Sequence, residues 1–187
     1  MDFNKLIARA KAILVTPKTE WPVIANEPAT VGDLYKNYIV VLAAIPAIAG
    51  FIKGSLIGTN VWLAGRVRED IGSGLTSMVV SYLLTLASVY IMALIIDALA
   101  PTFGGQKDRT QAPKTMTYAS TASWIAGAAI ILPAIGLLIV FAGAIYGIYL
   151  LYLGLPQTMK APQEKAAGYT PGTIIIDTSD HFLYYVL

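Results

Sequence analysis

Ionisable side chains are where most protein chemistry begins. This chain of 187 residues has few: 13 Lys and Arg, 11 Asp and Glu, one His and no Cys. Without cysteine there is no disulfide framework, no thiolate metal site and no thiol nucleophile. His181 alone cannot build a zinc centre, where two or three imidazoles usually share the metal. Placed in the C-terminal tail, it does not make a credible Ser-His-Asp set either. The carboxylates Glu20, Glu27, Asp33, Asp97 and Asp108 form no i, i+3 or i, i+4 carboxylate–histidine pattern of the kind that builds di-metal bundles. Gly72-Ser73-Gly74 is an isolated glycine pair with no strand before it, so it does not read as a phosphate-binding loop. The expectation is no enzymatic activity, no catalytic residue, no metal and no cofactor. A net charge of +2 is too small to imply a nucleic-acid surface. Two residues keep their interest because of their surroundings. Lys53 and Asp97 stand near the ends of long apolar runs, and an ionisable residue inside a membrane is a functional candidate by default.

Those runs dominate the chain. Hydrophobic residues make up 56% and charged residues 13%, about half the ~25% charge of a soluble domain. No ionisable residue occurs between Lys36 and Lys53, between Asp70 and Asp97, or between Lys114 and Lys160, gaps of 16, 26 and 45 residues. A membrane-spanning helix needs about 20 apolar residues, so the sequence predicts an all-α, polytopic transmembrane helical bundle. Four spans follow, at about 35–58, 75–100, 116–132 and 134–155. The last two share the longest gap, divided at Ile131-Leu132-Pro133-Ala134-Ile135-Gly136, because proline cannot continue the hydrogen-bond ladder of the helix before it.

Ahead of the spans lies a cytoplasmic or interfacial region, residues 1–34. Phe3, Leu6, Ile7, Ala10, Ile13 and Leu14 recur at helical spacing, with Lys5, Arg9 and Lys11 off that stripe. The pattern fits a basic amphipathic helix on an anionic leaflet, and equally a helix packed on the protein's own bundle. A second helix can start at Thr16-Pro17, with threonine as N-cap and proline at the first helical position. Trp21 would then lie at headgroup level. Lys5, Arg9, Lys11 and Trp21 are therefore the expected membrane-surface residues.

Within the bundle, Pro46 predicts a kink in the first span. Gly50, Gly54 and Gly58 make a small-xxx-small face, as do Gly143 and Gly147 in the fourth span, so these five glycines are the expected helix-packing or oligomer interface. Lys53 reads as a lysine snorkelling to the near surface, with a transport role as its alternative. Asp97 lies close to the exit of its span, where water or Lys107 and Arg109 can satisfy it. Thr115, Thr117, Tyr118, Ser120, Thr121 and Ser123 crowd the start of the third span, for interhelical hydrogen bonds or, alternatively, a polar cavity.

Orientation follows from the basic residues. With a cytoplasmic N-terminus, Lys5, Arg9, Lys11, Lys18, Lys36, Lys107, Arg109, Lys114, Lys160 and Lys165 fall inside, and Arg66 and Arg68 outside, near Lys53. Residues 157–187 form a cytoplasmic loop and an atypical C-terminal segment. There Ile174–Ile176 and Phe182–Leu187 are apolar, yet Asp177, Asp180 and His181 separate them. Two central aspartates cost roughly +5 to +7 kcal/mol on the insertion scale, against about −2 to −4 kcal/mol from the strong apolar residues. A fifth crossing here would need shelter from the other helices.

A family resemblance runs through these segments. Thr16-Pro17-Lys18-Thr19-Glu20-Trp21-Pro22-Val23-Ile24-Ala25 resembles the P-x-x-x-W-x-x-I opening of prokaryotic Yip1-domain membrane proteins. Leu34-Tyr35-Lys36-Asn37-Tyr38, Leu99-Ala100-Pro101-Thr102-Phe103-Gly104-Gly105-Gln106-Lys107 and Tyr149-Leu150-Leu151-Tyr152-Leu153-Gly154-Leu155-Pro156 are similar to later segments of that family, as are Met159-Lys160-Ala161-Pro162, Glu164-Lys165-Ala166 and Gly168-Tyr169-Thr170. The resemblance implies five helical spans and a cytoplasmic N-terminus. Eukaryotic members of the family act in early secretory traffic, binding Rab GTPases and one another, while prokaryotic members are inner-membrane proteins without an assigned biochemical activity. The departure is the C-terminus, where relatives carry a smooth apolar fifth helix.

Two functional readings result. One is a membrane scaffold or adaptor in the bacterial inner membrane, surrounded by lipid and associating with itself or with another membrane protein. The other is a small transporter or channel using Lys53, Asp97 and the hydroxyl-rich third span. Against the latter, Lys53 and Asp97 sit near opposite faces, and no inverted repeat with paired broken helices is evident.

Overall fold

The computed structural model describes residues 2–61 and 65–170. The tail with Asp177, Asp180 and His181, and Trp62 of the first loop, lie outside the described residues. Helix α1 (Phe3–Val15) is capped by Asp2, whose carboxylate accepts from the backbone N–H of Asn4 and Lys5. Helix α2 (Pro17–Asn26) begins one residue later, with Pro17 at its first position. Thr16 stands at both ends at once. Its hydroxyl donates back to the Ala12 carbonyl at 3.1 Å, closing α1, and so makes no side-chain cap for α2.

The first apolar run, Val31–Ile57, is helical throughout but not uniform. It comprises α3 (Val31–Leu34), a π-helical turn (Tyr35–Ile39), α4 (Val40–Leu42), α5 (Ala44–Phe51) and a second π turn (Ile52–Ile57). The interruption at Ala43 follows from Pro46, which leaves the carbonyl of Leu42 without its helical donor. Beyond Gly58 the chain forms an antiparallel hairpin, β1 (Thr59–Val61) and β2 (Gly65–Val67), with Asn60 opposite Arg66. The sequence predicts a loop here, because three-residue strands are too short to carry a periodic signal.

Helix α6 (Ile71–Leu99) starts on Asp70, which accepts from the N–H of Gly72 and Ser73. It ends through a 3-10 turn, Ala100–Phe103, and the left-handed Gly104. Tyr35 and Tyr82 tie it to the first run, donating to the carbonyls of Leu86 at 2.6 Å and Val40 at 2.9 Å. Next come α7 (Gln111–Ala119), α8 (Thr121–Gly127) and a 3-10 turn (Ala128–Ile131). Leu132 is extended ahead of Pro133, and Ala134 is left-handed at φ 62°. The chain thus reverses at the expected breakpoint into α9 (Gly136–Thr158).

Three of the described helical runs are long and apolar enough to cross a membrane: Val31–Ile57, Ile71–Phe103 and Gly136–Thr158. The expected third span, 116–132, is instead a broken series of short helices. Ser120 donates back to the Met116 carbonyl at 2.9 Å, and hydroxyls that compete for helix carbonyls bend or interrupt a helix. The fold is therefore a helical membrane bundle carrying one short hairpin, with the interrupted stretch lying antiparallel against α9.

Candidate functional site

The most elaborate side-chain arrangement lies where α1 and α2 cover the bundle. Arg9 of α1 forms ion pairs with Glu20 of α2 and with Glu27, the residue that ends that helix. Its guanidinium also stands 6.0 Å from the centre of the Tyr118 ring. Burial opposes the charge on Arg9, but the hydrogen bond it donates to Glu27 and the fields of Glu20 and Glu27 outweigh it and hold its pKa above the ordinary value. Tyr118 meets Trp21 and Tyr38 edge-on, at 6.5 and 4.9 Å between centroids. The Tyr38 hydroxyl continues the chain of contacts to Thr121 at 2.9 Å.

The far end of α2 is secured by α7. Lys114 is buried and donates to the carbonyls of Ile24 at 3.1 Å and Glu27 at 2.6 Å, while Gln111 donates to Ala25 at 2.8 Å. These are the carbonyls that a helix C-terminus leaves without partners. A cation near the C-terminus of α2 is also favoured by the helix dipole.

Of the residues expected at the membrane surface, Trp21 is packed inside the protein and Arg9 is half-buried. Trp21 is 0% exposed. A Cβ on Gly154 would come within 2.7 Å of its indole ring, so the ring fills the notch that this glycine leaves in α9. The aromatic-belt tendency loses here because a close-packed notch covers the ring completely. Arg9 is directed toward α2 by its ion pairs with Glu20 and Glu27. Helix α1 packs Leu6, Ala10 and Ile13 against the bundle, while Phe3 and Ile7 remain exposed. Lys5 and Lys11 are exposed as well.

The glycines divide by role. Gly143 and Gly147 are consumed inside the chain: added Cβ atoms would lie 2.2 Å from Ala126 Cβ and 3.1 Å from Ser123 Oγ of α8. Gly50 meets nothing within 4 Å. The expectation of a packing face extending to Gly58 is corrected. Gly58 has φ 84°, and a Cβ placed on it would lie 2.7 Å from the Val67 carbonyl oxygen, so it is the turn into the hairpin. Gly54 faces Glu69, whose N–H donates to the Gly54 carbonyl at 3.1 Å, rather than another helix.

Asp97 is 9% exposed and its Oδ1 has no hydrogen-bond partner among the described residues. Beside it, Tyr169 stacks on Phe103 at 4.9 Å and donates to the Ile96 carbonyl. Lys53 is far away. Ser55 touches α6 at Gly74, and Asp97 lies 23 residues further along that helix, about 35 Å at 1.5 Å per residue. The two do not share a site. Among the expected hydroxyl contacts, Thr115 meets Thr158 of α9 at 2.5 Å and Thr121 meets Tyr38, whereas Thr117 Oγ1 is buried without a partner. Among the described residues no group of three His, Cys, Asp or Glu side chains is placed to hold a metal ion.

Sequence reasoning missed Gly74 and Gly154. A Cβ on Gly74 would overlap Ser55 Oγ at 1.9 Å. The available signal for Gly154 was a lone small residue among Leu153, Leu155 and Pro156.

Membrane-length apolar helices joined to a buried ionic and aromatic cap define a polytopic helical membrane protein. The chain belongs to the Yip1 family: the Yip1 domain matches residues 11–176. It is similar to the inner membrane protein YohC of Escherichia coli strain K12, with 27% identity over 162 residues, 86% of this chain and 83% of the relative. The same protein from E. coli O6:H1 matches to the same extent. No solved structure matches.

Proposed function

We propose that this chain is a non-enzymatic scaffold or adaptor of the bacterial inner membrane, associating with a second copy of itself or with another membrane protein. Gly50 carries the reading. It lies in the first apolar run, is exposed, and leaves room for a side chain that none of the described residues occupies. A small residue open to the bilayer is where a neighbouring helix gains close backbone approach. YohC, named as an inner membrane protein, supports the location.

The accompanying topology has residues 1–34 cytoplasmic or interfacial, the bundle over 35–156, and a cytoplasmic loop from 157 that leads into the C-terminal segment. The interrupted stretch 111–131, which overlaps the expected third span 116–132, serves as the third crossing in chain order. Its 21 residues reach about 31 Å, enough for the ~30 Å hydrocarbon core. A further crossing by the C-terminal segment belongs to the same reading.

The test is oligomer size by analytical ultracentrifugation in mild detergent, paired with in-cell crosslinking and mass spectrometry. Gly50→Ile should reduce the larger species and the crosslinked partner while the thermal unfolding midpoint stays constant. Unchanged assembly and an unchanged crosslinking pattern would retire the proposal. The transporter reading has one observation in its favour, the unpartnered buried oxygen of Asp97. It requires a proton or solute flux in proteoliposomes that Asp97→Asn alters.

A further inference from the structure

The loops that follow α6 and α9 are fastened together between lysines. The N–H of Gln106 donates to the Met159 carbonyl at 2.7 Å. Gly105 lies so close to that carbonyl that a Cβ on it would be 2.8 Å from the oxygen. Lys107 and Lys160 are the next residues on either strand of this junction, and both are exposed. A third lysine reaches the same place: a Cβ on Gly104 would come 3.4 Å from Lys165 Nζ. Arg109 is exposed two residues beyond Lys107. None of these four cations makes an ion pair among the described residues. Asp108 turns to the start of α7, accepting from the N–H of Thr110 and Gln111 at 2.8 and 3.0 Å. Glu164 is the other carboxylate of these loops, and it is exposed. Positive charge is in excess.

Lys160 is the anomaly. It follows the end of α9 with φ 53°, the left-handed conformation in which glycine, or sometimes asparagine, usually closes a helix. Helix dipoles favour cations near their C-termini, yet that attraction does not require the cation to occupy a strained position. The charge, not the backbone, accounts for a lysine there. We propose that Lys107, Arg109, Lys160 and Lys165 form a docking surface for the headgroups of anionic phospholipids in the adjoining leaflet. The apolar helices end at Phe103 and Thr158, and the crossing 111–131 begins just after Arg109. These long side chains therefore stand at the border of the bilayer, where lipid phosphate is the anion at hand. Four or more Lys and Arg immediately beside membrane-helix ends attract such headgroups, each adding a comparable increment. From the proposed topology the inference takes only that both loops lie at the membrane surface. It does not depend on Gly50, so its failure and that of the scaffold reading are separable.

The experiment is native mass spectrometry of the purified full chain, titrated with palmitoyl-oleoyl phosphatidylglycerol and separately with phosphatidylcholine of the same acyl chains. The wild type should retain phosphatidylglycerol in preference to phosphatidylcholine. Lys160→Asn keeps a side chain that tolerates the left-handed conformation and removes the charge. It should weaken phosphatidylglycerol binding about fivefold, leave phosphatidylcholine unchanged, and keep the thermal unfolding midpoint at or above that of the wild type. The double variant Lys107→Gln, Lys165→Gln should weaken it about 25-fold by the same increments. Lys18→Gln, from an exposed lysine elsewhere on the chain, should change nothing. Equal retention of the two lipids by the wild type, or unchanged affinity in either platform variant, would overturn the proposal. So would an equal loss in Lys18→Gln, or a lowered midpoint in Lys160→Asn, which would make the lysine structural. Capture of a hexaglutamate peptide or of glycerol 3-phosphate in preference to phosphatidylglycerol would overturn it too, assigning the surface to an acidic polypeptide or a free phosphate.

Discussion

The two ends of this molecule are built on different terms. At the end that gathers α1, α2, α7 and the last turns of α6 and α9, Trp21, Ile24, Ile96, Leu155, Met159 and Tyr169 are fully enclosed. At the opposite end, Leu75, Val79, Leu83, Leu137, Leu138 and Phe141 point outward. Both ends are strongly apolar, so hydrophobicity alone does not decide which is packed. What distinguishes the first is polar and small-residue complementarity: Arg9 with its two carboxylates, Lys114 on the α2 carbonyls, Trp21 in the Gly154 notch. Between helices in lipid, apolar surface gains little from contact with more apolar surface, and specific fit supplies the difference. The open end is left uncovered by the described residues.

Substitutions can break or sharpen that contrast. Trp21→Ala should have the largest effect, lowering stability by about 3–5 kcal/mol through the cavity it leaves. Thermal unfolding by circular dichroism would register it, together with faster proteolysis of residues 1–34. Gly143→Leu should cost about 1–3 kcal/mol by forcing α8 from α9, whereas Gly50→Leu at the open end should stay within about 0.5 kcal/mol. Equal losses at the two glycines would end the distinction between a consumed and an open face. Arg9→Met should cost about 2 kcal/mol by leaving two carboxylates uncompensated. The triple variant Arg9→Met, Glu20→Gln, Glu27→Gln should recover most of that loss, as chemical denaturation in detergent would measure. Smallest of all, replacing Thr115 and Thr158 together by valine should be nearly neutral. Thr115→Val alone should cost about 1 kcal/mol, because only the single variant orphans a buried hydroxyl.

Much of this was legible in the charge gaps, because a bilayer tolerates few ionised groups and the apolar runs at 31–57, 71–103 and 136–158 mark themselves. The reversal at Pro133 was legible for a stereochemical reason. The break at Ser120 was not: it depends on a hydroxyl choosing its own helix carbonyl. The apolar stripe of α1 suited a leaflet and a protein surface equally, and only the burial of Leu6, Ala10 and Ile13 distinguishes them. Trp21 obeyed a general preference on paper, yet a glycine 133 positions away overrode it. Nearness in space across such separations is what a single sequence does not display.

The Trp21–Gly154 contact also fixes an order of events during synthesis. The tryptophan leaves the ribosome 133 residues before the glycine that receives it, on the order of ten seconds at 5–20 residues per second. Throughout that interval the N-terminal hairpin has no seat, and Trp21 and Ile24 stay open to chaperones and proteases. Closure of the hairpin therefore reports that α9 has been made and inserted, which turns the oldest part of the nascent chain into a late one to mature.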